Sequence, residues 1–146
     1  MALQDIDVPS LRGALNACLN SLDNSYTTDI TSSLSGDSVW SGAAKDNLKT
    51  ALETLSSTRY DELKEKINGY LGVADMIEQY QTAYSELKDL ESELDEKQIS
   101  LNYAKNNESS DSTYTNTLSQ QISSLETDIS NKKVELQNIE AAIVID

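Results

Sequence analysis

The chain contains no histidine and no phenylalanine, and only one cysteine, one proline, one tryptophan and five glycines in 146 residues. Without histidine it lacks the commonest general base and transition-metal ligand. A lone Cys18 excludes any internal disulfide framework. With so few prolines and glycines there is little to punctuate the backbone, and the remainder is rich in Leu, Glu, Lys, Gln, Ala, Ser and Asn, so the expected fold is all-α with few turns. Cations are scarce as well: 11 Lys and Arg stand against 25 Asp and Glu, a net charge of -14, with no basic cluster. A phosphate backbone is bound by displacing its counterions with Lys and Arg, so nucleic acid is excluded as a partner, and an anionic membrane surface would repel the chain. The longest apolar run, Ala141 to Ile145, is far below the ~18 residues that span a bilayer, so no membrane insertion is expected. The N-terminal stretch MALQDIDVPSLRG has neither a basic nor an apolar signal region, so the protein is expected to remain cytoplasmic or to leave by a route that needs no signal peptide.

What is present is helical periodicity. A stripe at steps of three and four runs Leu11, Leu15, Cys18/Leu19, Leu22, Tyr26, Ile30, Leu34, and predicts a helix over 10–34 that starts just after Pro9, a residue tolerated in an opening helical turn. On that stripe Cys18 reads as a small core hydrophobe, with an intermolecular disulfide as the alternative. A second pattern begins near Ala43 and runs through Ala44, Leu48, Ala51/Leu52, Leu55, Leu63, Ile67, Tyr70/Leu71, Ala74 and Ile77. Gly69 and Gly72 interrupt it. Each helical glycine costs about 1 kcal/mol relative to alanine, so the pair predicts a kink or a junction there, with helices over about 43–67 and 73–104.

The C-terminal half carries two heptad stripes. The first is Ile77, Tyr80, Tyr84, Leu87, Glu91, Leu94, Gln98, Leu101; the second is Leu118, Ile122, Leu125, Ile129, Lys132, Leu136, Ile139, Ile143. Folding the chain at the polar stretch Lys105 to Thr113 sets Leu101 against Leu118, Leu94 against Leu125, Leu87 against Lys132, Tyr84 against Leu136, Tyr80 against Ile139 and Ile77 against Ile143, an antiparallel hairpin whose layers agree along its length. Polar Lys132, Glu91 and Gln98 at seam positions lower stability but fix register, and Lys132 and Glu91 stand close enough to pair. Tyr103 and Tyr114 flank the linker and are expected to close the hairpin's end. The whole therefore reads as two elongated antiparallel hairpins, residues 1–70 and 71–146, the second a coiled coil continuous with the first.

The only tryptophan lies between the first two helical patterns, in GDSVWSGAAKDNL, residues 36–48. Helix, Trp40-Ser41-Gly42, helix in an acidic chain without a signal peptide resembles the WXG superfamily, small helical hairpins exported by type VII secretion systems of Gram-positive bacteria and mycobacteria. The resemblance covers about residues 1–70. It implies that Trp40 packs in the cleft formed with a partner hairpin and that Gly42 permits the tight turn; the alternative is that Trp40 plugs the end of its own hairpin. Family members are near one hundred residues, and this chain adds a second hairpin. The family's export signal, Tyr-x-x-x-Asp/Glu after the second helix, is missing: Tyr70 is followed four residues on by Ala74, Tyr80 by Tyr84 and Tyr84 by Lys88. That absence points to a dedicated partner, similar to the small helical proteins that accompany LXG toxins.

No Gly-rich phosphate loop and no metal-ligand spacing occurs, so no cofactor and no metal are expected, and the carboxylates of LESELDEK, residues 90–97, read as a solvated helix face; an enzyme is not expected. Apolar residues beyond a single stripe, Leu19 beside Cys18 and Leu52 beside Ala51, join Trp40 and Gly42 as expected partner-binding residues. The resemblance implies a cognate WXG-like or LXG-type helical protein as heterodimer partner, with a homodimer as the fallback and the secretion ATPase as a further contact, and a protein that is cytoplasmic before export. The alternative from a different class is a structural coiled-coil scaffold unrelated to secretion. A third, minor reading is an acidic mimic of DNA, the charge dividing as -4 over residues 1–74 (6 basic, 10 acidic) and -10 over 75–146 (5 basic, 15 acidic).

Overall fold

A computed structural model describes residues 2–35, 43–107 and 111–143, with side chains for all of these except 25–35, 43–46, 48, 49, 52, 55 and 56. The protein is all-α. A 3-10 turn over Leu3–Asp5 precedes three long helices, α1 (Val8–Ser35), α2 (Ala43–Asn106) and α3 (Ser112–Ala142), and there is no strand among the described residues.

Helix α1 starts two residues before the expected position because Asp7 caps it. The Asp7 carboxylate accepts the Ser10 backbone N–H at 3.1 Å and the Ser10 hydroxyl at 2.7 Å, satisfying a first-turn donor that has no partner within the helix. Those two hydrogen bonds hold the Asp7 carboxyl below its ordinary range. Helix α3 begins in the same way, with Asp111 accepting from the Thr113 N–H at 2.9 Å.

Helix α2 runs as a single helix through Gly69 and Gly72, so no separate helix begins at 73. Nor is either glycine a close crossing, since a Cβ built on each meets nothing within 4 Å. The propensity penalty of two glycines is outweighed by the hydrogen bonds and packed stripe of a 64-residue helix.

Two compact units divide the chain, Asp7–Asp75 on one hand and Met1–Ile6 with Met76–Val144 on the other. In the first unit, α1 turns Leu11, Arg12, Leu15, Leu19 and Leu22 half inward at helical spacing, with Val8 buried at its start. Cys18 is exposed, which corrects its reading as a core residue: the stripe passes through Leu19, four residues from Leu15, and leaves Cys18 on the solvent side. On α2 the corresponding stripe is Tyr60, Lys64, Ile67, Leu71 and the fully buried Ala74. Arg12 is ion-paired with Asp75, and the Tyr60 hydroxyl donates to Asp23, which also lies 3.7 Å from the Lys64 ammonium. These bridges run in opposite directions along the two helices, an antiparallel pairing.

The second unit is a hairpin of α2 and α3. On α3 the expected seam is reproduced residue for residue: Leu118, Ile122, Leu125, Ile129 and Leu136 are buried, and Lys132, Ile139 and Ile143 are half-buried. One cluster holds Ala83, Leu87, Ile129 and Leu136, with Tyr80, Tyr84, Leu90, Leu94 and Ile139 packed against it. Its members come from the layers expected to meet, Tyr80 with Ile139 and Tyr84 with Leu136. The α2 side differs in detail. The expected Ile77, Tyr80, Tyr84, Leu87, Glu91, Leu94 and Leu101 are all buried or half-buried, but Ala83, Leu90, Lys97 and Ala104 are turned inward as well, while Gln98, expected there, is exposed. Tyr103 and Tyr114 do not close the hairpin end; they are 73% and 53% exposed, and Ala104 is the buried residue nearest that end of α2. The first residues of the chain are held by Gln81 of α2, whose side-chain amide donates to the Leu3 carbonyl at 3.0 Å and the Ile6 carbonyl at 2.8 Å.

Candidate interaction surface

Of the four residues expected to bind a partner, Trp40 and Gly42 lie outside the described residues, as does the side chain of Leu52, whose backbone belongs to α2. Leu19 is half-buried on the inner stripe of α1, between Leu15 and Leu22.

Within the unit Asp7–Asp75 the described side chains pack thinly: Val8 and Ala74 are its only buried hydrophobics among them. Apolar area remains on the outer flank of α2, where Leu63 is 50% and Tyr70 37% exposed. Arg59 and Lys66, both exposed, interleave with them in the order Arg59, Leu63, Lys66, Tyr70. At about 100° per residue these four positions fall within an arc of about 60° beside the inner stripe. Sequence reading placed Leu63 and Tyr70 in the general apolar pattern of α2 and missed the flank; the signal was available in the 4-3-4 spacing of Arg-x-x-x-Leu-x-x-Lys-x-x-x-Tyr.

The other cations are engaged or differently placed. Lys64 donates to the Tyr60 hydroxyl at 3.0 Å, with its ammonium 5.2 Å from the ring centroid, and its pKa is raised by that hydrogen bond and by the Asp23 charge. In the C-terminal hairpin Lys132 was expected to meet Glu91. It instead pairs with Glu135 on its own helix at 2.6 Å and with Glu86 of α2 at 2.8 Å, and both contacts raise its pKa. Glu86 is the neighbour of Leu87, the residue expected opposite Lys132, so the register stands and only the partner changes. Glu91 binds Lys88 at 2.9 Å and Lys133 of α3 at 3.3 Å, and these hydrogen bonds hold its carboxyl below the ordinary range.

An open groove beside Ala83 and Ile139 is rimmed by Glu78, Glu86 and Glu135. Lys132 already occupies two of those carboxylates, so the rim offers little unclaimed charge. Among the described residues there is no group of three or more His, Cys, Asp or Glu that could hold a metal ion, and no helix is long and apolar enough to cross a membrane. Comparison with protein-family models, curated proteins and solved structures found no match to the chain.

Proposed function

We propose that this protein is a small helical partner or substrate of a type VII secretion system, a binding module and not an enzyme, which docks helix-on-helix onto a cognate WXG-like or LXG-type protein. The observation that carries the reading is the placement of Trp40-Ser41-Gly42 in the seven residues between the end of α1 at Ser35 and the start of α2 at Ala43. A Trp-x-Gly triplet anywhere in a chain says little; one between two long antiparallel helices in a chain of net charge -14 fits the family's pattern. The thin packing of the described side chains of the unit Asp7–Asp75 supports it, because a hairpin face with few buried residues gains most from a second hairpin laid against it. On this reading the protein is cytoplasmic until a partner that carries the export signal takes it through the secretion ATPase.

The seam of α2 and α3 favours a second reading, a coiled-coil scaffold in which Trp40 only plugs its own hairpin. Affinity purification from the native host separates the two. The secretion reading expects a stoichiometric helical partner encoded beside a secretion ATPase gene, and expects Trp40→Ala to weaken that complex by about 2 kcal/mol or more while helicity by circular dichroism is kept. A lone wild-type protein, or a Trp40→Ala variant that unfolds, would leave the scaffold.

A further inference from the structure

We infer that the outer face of α2 near its end, carried by Ile99 and Tyr103 with Tyr114 at the same end of the hairpin, is a docking site for a basic amphipathic helix, one with leucine-like residues along a seam and Lys or Arg flanking it. The site lies in the hairpin of α2 and α3, outside the unit Asp7–Asp75 to which Trp40 belongs, and so adds a second surface to the one proposed above. Tyr103, Ile99 and Tyr114 are 73%, 69% and 53% exposed, the three most exposed large apolar side chains among the described residues, and all three fall where α2 passes to α3. Ile99 and Tyr103 are one helical turn apart. Each stands about 160° round α2 from the half-buried seam residue Leu101, on the side that α3 does not cover. Large apolar residues four positions apart on an uncovered face are what a second helix buries when it lies along the first.

Charge selects the occupant. At the helical-neighbour spacings of three, four and seven residues, Ile99 and Tyr103 meet the carboxylates of Asp95 and Glu96 and otherwise only Ser, Asn and each other, with no Lys or Arg at any of those positions. Asp95 and Glu96 are both exposed, and neither is ion-paired among the described residues. The two lysines of this stretch stand elsewhere. Lys97 is half-buried on the stripe that faces α3, and Lys105 lies about 120° round the helix from Ile99 and about 160° from Tyr103. Residues 92–118 as a whole carry a net charge of -3 (2 basic, 5 acidic). A second copy laid stripe to stripe is a poor occupant, because it brings four carboxylates and no cation into one seam, and charges taken out of water without partners are costly. A basic helix supplies the missing cations beside Asp95 and Glu96 while its leucines cover Ile99 and Tyr103, and the charge of -10 over residues 75–146 (5 basic, 15 acidic) speeds its approach.

The test uses the full chain and two synthetic helices, one of leucine–lysine heptads and its twin with glutamate for every lysine, with binding followed by fluorescence anisotropy and oligomeric state by analytical ultracentrifugation. The basic helix is expected to bind at least about tenfold more tightly than its glutamate twin at physiological salt. A chain of net charge -14 attracts any cation, so variants must localise the binding. Ile99→Gln/Tyr103→Gln leaves every charge in place and should weaken the basic helix at least about tenfold, as loss of two interface anchors does. Val134→Gln, the same kind of change at a 52% exposed position of α3, should alter binding by less than about twofold. Asp95→Lys/Glu96→Lys keeps both apolar side chains and should abolish the preference for the basic helix. All four altered positions of the two double variants are exposed, and circular dichroism checks that each variant keeps its helicity; if one does not, the other decides. Binding of the basic helix that Ile99→Gln/Tyr103→Gln leaves unchanged overturns the site, since the attraction is then spread over the acidic surface. Equal or tighter binding of the glutamate twin to wild type overturns it as well, as does self-association that Ile99→Gln/Tyr103→Gln abolishes, which would make the occupant a second copy.

Discussion

A single carboxylate starts each of the helices α1 and α3, and neither was legible from apolar spacing alone. Asp7 and Asp111 each stand immediately before a first helical residue and accept a first-turn N–H that nothing else in the helix can reach. For Asp111 the consequence can be measured. Replacing it with Ala should cost about 1 kcal/mol in urea denaturation, whereas Asn, which keeps the acceptor oxygen, should cost almost nothing. Equal losses for Ala and Asn would show that the negative charge at the helix end matters and the hydrogen bond does not. Cys18 teaches a related lesson. Leu15 to Cys18 and Leu15 to Leu19 are both permitted helical steps, and only the identity of the helix facing α1 decides between them. The larger side chain takes the inner position and the thiol is left in solvent.

At the scale of elements, the two glycines of α2 now carry a prediction with a definite sign. Both are helical, exposed and surrounded by open space, so Gly69→Ala and Gly72→Ala should each stabilise the protein by up to about 1 kcal/mol, chiefly by restricting the unfolded chain. A loss of stability on thermal melting would mean that a bend at this point matters to the packing. The seam makes the complementary case: Leu136→Ala, at 7% exposure, should cost about 2–3 kcal/mol, while Val134→Ala, at 52%, should stay within about 0.5 kcal/mol. Both can be read from urea midpoints of the same protein. The stripe on α3 was fully legible because every seam position but Lys132 is a Leu or Ile and its neighbours are polar. On α2 the expected stripe through Tyr84 and Glu91 does face inward, but the inward face is wider than one stripe and also takes Ala83 and Leu90, which hydrophobic spacing alone does not separate from it. Gln98 was misplaced because by that turn the inward position has passed to Lys97. The Gln81 amide on the carbonyls of Leu3 and Ile6 joins residues more than seventy positions apart and leaves no local signal. Of the candidate site, the sequence showed the Trp-x-Gly triplet but not the exposure of Leu63 and Tyr103, because hydrophobic spacing does not say which apolar residues the folded chain leaves in solvent.

For the molecule as a whole, net charge and ion pairs act in opposite directions, and solution conditions can set one against the other. Glu91 has its pKa lowered by Lys88 first and Lys133 second, so its contribution is present above the unfolded carboxylate pKa and is lost as pH falls through the lower folded value. Lys132, raised by Glu135 and then Glu86, and Lys88, raised by Glu91, contribute below the unfolded lysine pKa and lose that contribution as pH rises through the higher folded value. At neutral pH all of these pairs are therefore intact, and pH 7 is where the competition with net repulsion is cleanest. The pairs among the described residues are mostly exposed, a class of interaction worth little each, while the chain carries 14 more acidic than basic residues. Screening weakens both effects, and repulsion has more to lose. Raising salt from about 0.02 to about 0.5 M at pH 7 should therefore raise the melting temperature, and the gain should shrink near pH 4, where the carboxylates begin to protonate. Glu91→Gln should melt with a flatter dependence on pH than wild type between about pH 5 and pH 3, because it has no lowered carboxyl to titrate. A melting temperature that falls with salt at pH 7 would reverse the ranking and make the ion pairs outweigh the repulsion, and a Glu91→Gln profile parallel to wild type would show that the contacts with Lys88 and Lys133 hold nothing in place.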